Sequence, residues 1–132
     1  MKNYEIPNGI VDVVLDTDMA QIPHNGMFLE VDDHFALAYL LKCEKLNLKA
    51  IYTDVATSEE YKQGRLHGIK NVLKGCNRED LMSSIFTGAE TRMPDKATPV
   101  ESEAVEDLIK RANNYSRENP LYVIEIGPFT NI

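Results

Sequence analysis

The chain has 132 residues, of which 14 are Lys or Arg and 21 are Asp or Glu, so its formal net charge is −7. Its 43% hydrophobic and 27% charged residues are close to the globular average, which excludes a largely disordered chain, and its length predicts one domain over residues 1–132. An acidic chain without a basic stripe repels phosphate backbones, which excludes nucleic acid as an expected partner.

The sequence also argues against membrane insertion. The longest nearly continuous apolar stretch, residues 35–41, is far shorter than the ~20 residues of a membrane-spanning helix. The N-terminus lacks the apolar core of a signal peptide. We therefore expect no membrane contact and a cytoplasmic location.

The first half of the chain alternates between strand and helix patterns. Residues 10–15 form a β-branched apolar run, which predicts a strand buried on both faces. Residues 32–43 are apolar nearly all round at helical spacing, which predicts a buried helix. Residues 48–53 predict a second strand.

A capping-box pattern predicts where the next helix begins. Thr57 and Glu60 have the spacing at which two side chains satisfy each other's free backbone amides. Gly75 stands where a left-handed residue would end this helix. Its inner face is predicted to consist of Leu66, Ile69, Val72 and Leu73.

The second half of the chain repeats the alternation. Residues 84–87 predict a short strand, and Thr98 and Glu101 form a second capping box. Residues 121–126 predict a last strand before Gly127 and Pro128. The helix between them is predicted to bury the face made of Val105, Leu108, Ile109 and Ala112.

This order of elements predicts an α/β fold with an open, mostly parallel sheet flanked by helices. In such sheets ligands bind beyond the carboxyl ends of the strands. Asp16 and Asp18 follow the first strand, and Asp32 and Asp33 open the first helix, so four carboxylates are expected at one corner. Because like charges repel, a hard cation such as calcium or magnesium is expected among them.

The same aspartates have a simpler interpretation. Asp32 could cap the helix, and Asp33 could favour its positive end. The turn at residues 16–18 would then be merely solvated. Neither interpretation is decided by the residue types alone.

Three motifs together resemble a known family. They are Asp-Thr-Asp at residues 16–18, Asp-Asp at residues 32–33 and Gly-Pro-Phe-Thr-Asn at residues 127–131. In this combination the chain resembles the N-terminal part of the inosine-uridine preferring nucleoside hydrolases, from about Val11 to its last residue. The resemblance implies a nucleoside hydrolase-like α/β sheet of Rossmann-like order.

The resemblance also implies a reaction, which is the calcium-dependent hydrolysis of the N-glycosidic bond of a ribonucleoside to ribose and free base. Asp18 would bind Ca²⁺ and act as the general base for the attacking water, and Asp33 would be a bidentate calcium ligand. Further roles would fall to the carbonyl of Thr130 as a calcium ligand, to Asp32 and Ser58 as substrate contacts, and to Asp16 and Asn131 as supporting residues. Carboxylates stabilise the oxocarbenium-like sugar that such cleavage develops.

Three features depart from the family's pattern. The segment of residues 19–31 separates the two aspartate motifs by more than is usual and predicts a loop or hairpin over the site. His24 within it is a candidate general acid, although loop histidines are usually solvated. Ser58 stands where the family commonly has a sugar-contacting asparagine.

The third departure is length. Family members are considerably longer, so we expect this chain to be the N-terminal half of a longer domain, with little or no turnover alone. Uncovered apolar surface would then favour a homo-oligomer or a complementary chain as partner.

Two alternatives remain open. The first is a non-catalytic hydrolase-like module that binds a metal or a sugar. The second is a phosphohydrolase of the haloacid dehalogenase type, whose nucleophile also lies in an Asp-x-Asp after the first strand.

Overall fold

The fold is a four-stranded parallel sheet, seen in a computed structural model that describes residues 7–19 and 31–132. The strands are β1 (Val11–Thr17), β2 (Leu46–Thr53), β3 (Ile85–Phe86) and β4 (Tyr122–Glu125). They lie in the order β3-β2-β1-β4, and every neighbouring pair is parallel. The predicted open α/β fold is therefore confirmed, whereas the predicted loop at residues 20–30, with His24, lies outside the described residues.

Helices cover both faces of this sheet. They are α1 (Asp32–Lys42), α2 (Glu59–Gly75) and α3 (Glu103–Ala112), and the sequence did not indicate the additional 3₁₀ turn at Glu79–Ser84. One core joins α1 and α2 to the sheet through side chains that include Leu15, Leu37, Ile51, Ile69 and Leu73. A smaller core on the opposite face joins α3 through Val14, Ala50, Tyr52 and Ala104.

The helix ends differ from the predicted ones by one to four residues. Ser58 caps α2, because its hydroxyl accepts a hydrogen bond from the backbone amide of Tyr61, so Thr57 is not the cap. Ser102 caps α3 in the same way, and the predicted box at Thr98 is wrong. The Thr98 hydroxyl instead donates to the Asp95 carboxylate in the preceding turn.

The end of α2 also corrects a prediction. Asn77, with a φ of 56°, is the left-handed residue, and Gly75 still belongs to the helix. The amide of Asn77 donates to the carbonyl of Lys74, and the amide of Arg78 donates to the carbonyl of Leu73. These two bonds form a Schellman motif, in which asparagine tolerates the left-handed conformation next best after glycine.

Two helices bury less than their sequences predict. In α1, Phe35 is 73% exposed and Tyr39 is 68% exposed, so the prediction of a helix buried all round is wrong. In α3, Ile109 is 63% exposed and only Ala104 is fully buried. Within the part of the chain that the structure describes, no helix has the length and apolarity needed to cross a bilayer.

Candidate active site at the carboxyl ends of β1, β2 and β4

The chain reverses its direction of sheet growth at β1. From β1 the chain continues to β2 on one side, whereas β4 is added on the other side. A crevice forms at such a reversal because the flanking connections leave in opposite directions, and ligands of open α/β proteins bind there. Asp16 of β1 lies beside Glu125 of β4, so acidic residues from both strands meet at this crevice.

Asp16 is completely buried and supports the site rather than facing it. Both of its carboxylate oxygens accept hydrogen bonds from the Nδ2 of Asn131, at 3.2 and 3.0 Å. The same nitrogen donates to the carbonyl of Thr53 at 3.0 Å. Asn131 thereby ties the loop after β4 to the ends of β1 and β2, and Asp16 is held where it cannot reach a substrate.

Asp33 is bound to the end of β1. Its carboxylate accepts a hydrogen bond from the hydroxyl of Thr17, and the amide of Met19 donates to that hydroxyl at 3.1 Å. Asp33 is 7% exposed in the first turn of α1. The start of the helix is therefore fixed against the Asp-Thr-Asp turn by the threonine between the two aspartates.

Asp54 is a further acidic residue of the site. It follows β2 directly and is fully buried, and its Oδ1 accepts hydrogen bonds from the hydroxyl of Thr130 and from the amide of Val55. Its Oδ2 is buried without a hydrogen-bond partner among the described residues. Thr130 thus contacts this carboxylate through its hydroxyl and not through its backbone carbonyl.

Gly127 allows these groups to approach one another. A Cβ at this position would lie 3.0 Å from the amide nitrogen of Asp18 and 3.1 Å from the Oδ2 of Asp54. Any side chain would therefore press on both aspartates. The glycine of the Gly-Pro-Phe-Thr-Asn motif is required by close packing rather than by an unusual backbone angle.

The charge of Asp18 acts on the carboxylates at both sides of it. Burial raises the pKa of Asp33, and the neighbouring charges of Asp18 and Asp32 raise it further. Burial also raises the pKa of Asp54, where Asp18 again adds to the increase and Arg65 opposes it. The charge of Asp18 therefore repels two buried carboxylates, those of Asp33 and Asp54.

A second acidic pair lies deeper, between β1 and β4. Burial and the charge of Asp16 raise the pKa of Glu125 to about 8. Burial also raises the pKa of Asp16 to about 6, against the lowering effect of its hydrogen bond from Asn131. The Oε1 of Glu125 accepts from the amide of Gly127 at 2.9 Å, whereas its buried Oε2 has no partner among the described residues. At neutral pH a proton on Glu125 relieves the repulsion in this pair.

The two predicted substrate contacts, Asp32 and Ser58, lie at helix starts. Asp32 is exposed in the first turn of α1, and the N-cap of that helix is Val31, so Asp32 does not cap it. Ser58 is exposed, but its hydroxyl is engaged as the cap of α2. A ligand contact by Ser58 would have to share this oxygen.

An open cavity of about 690 Å³ lies beside the acidic cluster. Small-molecule sites typically have volumes of this order. The loops after all four strands and the first two turns of α2 line it with Asp18, Val55, Thr57, Tyr61, Arg65, Arg92, Met93, Pro128 and Thr130. Of the predicted site residues, Asp18 and Thr130 face this cavity.

The fit to calcium is good in donor chemistry and incomplete in geometry. Carboxylate oxygens are calcium's preferred ligands, and the unpartnered Oδ2 of Asp54 and the mutual repulsion around Asp18 are features that a cation would relieve. Within residues 7–19 and 31–132, however, no three His, Cys, Asp or Glu side chains converge closely enough to hold a metal ion. Calcium would need further oxygen ligands from the backbone, water or the substrate.

Comparisons with known proteins leave the family open. No family model matches the chain, and no curated protein is similar to it at a significant level. The function is therefore inferred from the residues of the site.

Proposed function

We propose that the acidic crevice is a calcium-assisted site for a ribosyl substrate, and that its chemistry is N-glycosidic hydrolysis of the nucleoside hydrolase type. The observation that carries this proposal is the position of Asp18, which lines a ligand-sized cavity and whose charge raises the pKa of both Asp33 and Asp54. Such an arrangement is unfavourable without a positive charge and becomes favourable around one.

The exposed and the buried residues of the site would have different roles. Asp18 and Asp33 would hold calcium with the backbone carbonyl of Thr130. The bound cation would supply positive charge that orients a water and the ribose hydroxyls. Asp16 and Asn131 would not touch the ligand. They would support the site, because the hydrogen bond between them fixes the loop that carries Thr130.

Asp18 is the candidate general base. It is the aspartate of the Asp-Thr-Asp turn that lines the cavity, whereas Asp16 is buried beneath it. Its carboxylate would accept a proton from the attacking water, and the surrounding carboxylates would stabilise the positive charge that develops on the sugar. Asp32, exposed at the start of α1, would contact the ribose hydroxyls.

Binding of inosine tests this proposal. We expect inosine to bind in the presence of calcium and not in the presence of a chelator, and we expect Asp18→Asn to abolish the calcium-dependent part. Asp95→Asn is the matched control, because Asp95 is exposed and does not line the cavity. Inosine binding that is independent of calcium, or equal in the two variants, would overturn the proposal.

Release of free base can be followed in the same samples. We expect little turnover of inosine or uridine, and we expect any turnover above background to require both calcium and Asp18. Hydrolysis that persists in the Asp18→Asn protein would contradict the assignment of Asp18 as the base.

A further inference from the structure

The cavity beside the acidic cluster contains two arginines that the proposed hydrolysis does not use. Among residues 7–19 and 31–132, its lining combines Arg65 and Arg92 with a single carboxylate, that of Asp18. A positive excess at this place is unexpected in a chain whose net charge is −7. The two arginines therefore place positive charge directly beside the acidic cluster.

These arginines differ from those that stabilise the fold. Arg78 is paired with Asp80, and Arg111 is paired with Asp107 through several hydrogen bonds. Within residues 7–19 and 31–132, neither Arg65 nor Arg92 has a carboxylate within ion-pair distance.

Arg65 is also held at the cavity with an unused donor. Its Nη1 is buried without a hydrogen-bond partner among the described residues. The charge of Arg65 opposes the increase in the pKa of Asp54, but the two groups form no ion pair. Because Arg65 lines the cavity, its guanidinium group is placed to donate charge-assisted hydrogen bonds to an anionic ligand there.

We propose that the cavity binds the phosphate of a ribosyl phosphomonoester, so that the substrate is a ribonucleoside monophosphate rather than a neutral nucleoside. A planar guanidinium group can donate two hydrogen bonds at once to the oxygens of a phosphate. Arg65 and Arg92 supply two such groups in one cavity. Tyr61 lies one turn before Arg65, is 64% exposed and lines the same cavity, which provides an aromatic surface for the base.

The position of Asp18 connects this phosphate site to the chemistry. Because Asp18 lines the cavity together with the arginines, a phosphate bound there would keep the attached ribose beside the candidate base. This inference rests on the proposed function for the ribosyl part of the ligand. The phosphate part rests on the arginines alone.

Calorimetric titration in the presence of a calcium chelator tests the phosphate site separately from the calcium site. The ligands are inosine 5′-monophosphate, inosine and inorganic phosphate. We expect the nucleotide to bind at least about tenfold more tightly than inosine, as the gain of a charge-assisted hydrogen bond predicts. Equal affinity for nucleotide and nucleoside, or no binding of the nucleotide, would overturn the proposal.

Variants of the arginines assign the effect. We expect Arg65→Gln and Arg92→Gln each to weaken nucleotide binding by about 10- to 100-fold, the range for losing a hydrogen bond to a charged group. Arg117→Gln is the control, because Arg117 is exposed outside the cavity lining and the variant removes the same charge. Circular dichroism checks that each variant is folded, and Arg92, which is exposed, is the variant least able to disturb the core.

Two results would count against the assignment. An equal loss of affinity in the Arg117→Gln protein would mean that net charge alone attracts the nucleotide. Inorganic phosphate that binds as tightly as the nucleotide would mean an anion site in which the base gains nothing from Tyr61. Because calcium is absent throughout, failure of the proposed hydrolytic site would not produce either result.

Discussion

Replacing Glu125 by glutamine should stabilise the protein, and the gain should grow as the pH rises. Glu125 has a pKa raised to about 8 in the folded chain, from an ordinary value of 4.5, because it is partly buried beside Asp16. As the pH rises between these two values, the unfolded chain loses its proton first. The folded state then binds more protons than the unfolded state, so the stability of the native protein falls with rising pH.

The size of the effect follows from these values. A carboxyl group with a pKa of about 8 when folded and 4.5 when unfolded would lose about 3 kcal/mol of stability between pH 4.5 and pH 7. Glu125 is only partly buried, and solvent screening reduces the expected loss to about 1–2 kcal/mol. Glutamine keeps the shape and the acceptor for the Gly127 amide but does not titrate.

Urea unfolding at pH 5, 6, 7 and 8, followed by circular dichroism, measures this difference. We expect the Glu125→Gln protein to be about equal to the native protein near pH 5 and about 1–2 kcal/mol more stable at pH 8. Glu44→Gln is the control, since Glu44 is exposed in the turn between α1 and β2. An advantage that stays constant or shrinks with rising pH would refute the raised pKa of Glu125 beside Asp16.

Two further substitutions test how the site is held together. Gly88→Ala places a Cβ 2.1 Å from the carbonyl oxygen of Thr53, so we expect the urea midpoint to drop by the equivalent of about 1–3 kcal/mol or more. Gly75→Ala, where a Cβ meets nothing within 4 Å in the last turn of α2, should instead stabilise by up to about 1 kcal/mol, and equal midpoints would contradict the packing at Gly88. Asn131→Ala removes the donor to the buried Asp16 carboxylate, so we expect a loss of about 1–3 kcal/mol in thermal unfolding, whereas Asn114→Ala on the exposed end of α3 should have little effect. An unchanged melting temperature in the Asn131→Ala protein would show that this amide does not support Asp16.

The sequence predicted the order and type of the main elements because their periodicity is a local property. The run that became β1 and the spacing of Ile69 and Leu73 in α2 are visible within one segment each. The exact helix starts were predicted wrongly, since hydroxyl-bearing residues within a few positions of one another compete for the cap. Ser58 and Ser102 took that role from Thr57 and Thr98.

Exposure of the α1 side chains could not be read from composition. An apolar residue type does not state which neighbours cover it, and the described residues leave Phe35 and Tyr39 uncovered. Glu125 was missed for a related reason. It read as one polar residue in a strand, and its partner Asp16 is more than a hundred positions away along the chain.

The aspartates of the crevice are more visible in the sequence than the arginines of the cavity. Asp18 and Asp33 belong to short motifs next to element boundaries, where a strand end and a helix start are expected to meet. Arg65 and Arg92 occur in no such motif. Their shared cavity arises from the packing of α2 against the loops that follow the strands, which only the three-dimensional structure contains.

A calorimetric titration with calcium tests the central claim most directly. The native protein and Asp33→Asn are compared at pH 7.5 without nucleotide, because Asn keeps the shape of a side chain that accepts a hydrogen bond from Thr17 but removes its charge. We expect one calcium ion to bind saturably to the native protein, and we expect the variant to lose about tenfold or more in calcium affinity. Equal weak heats in the two titrations would contradict a calcium site at this edge of the sheet.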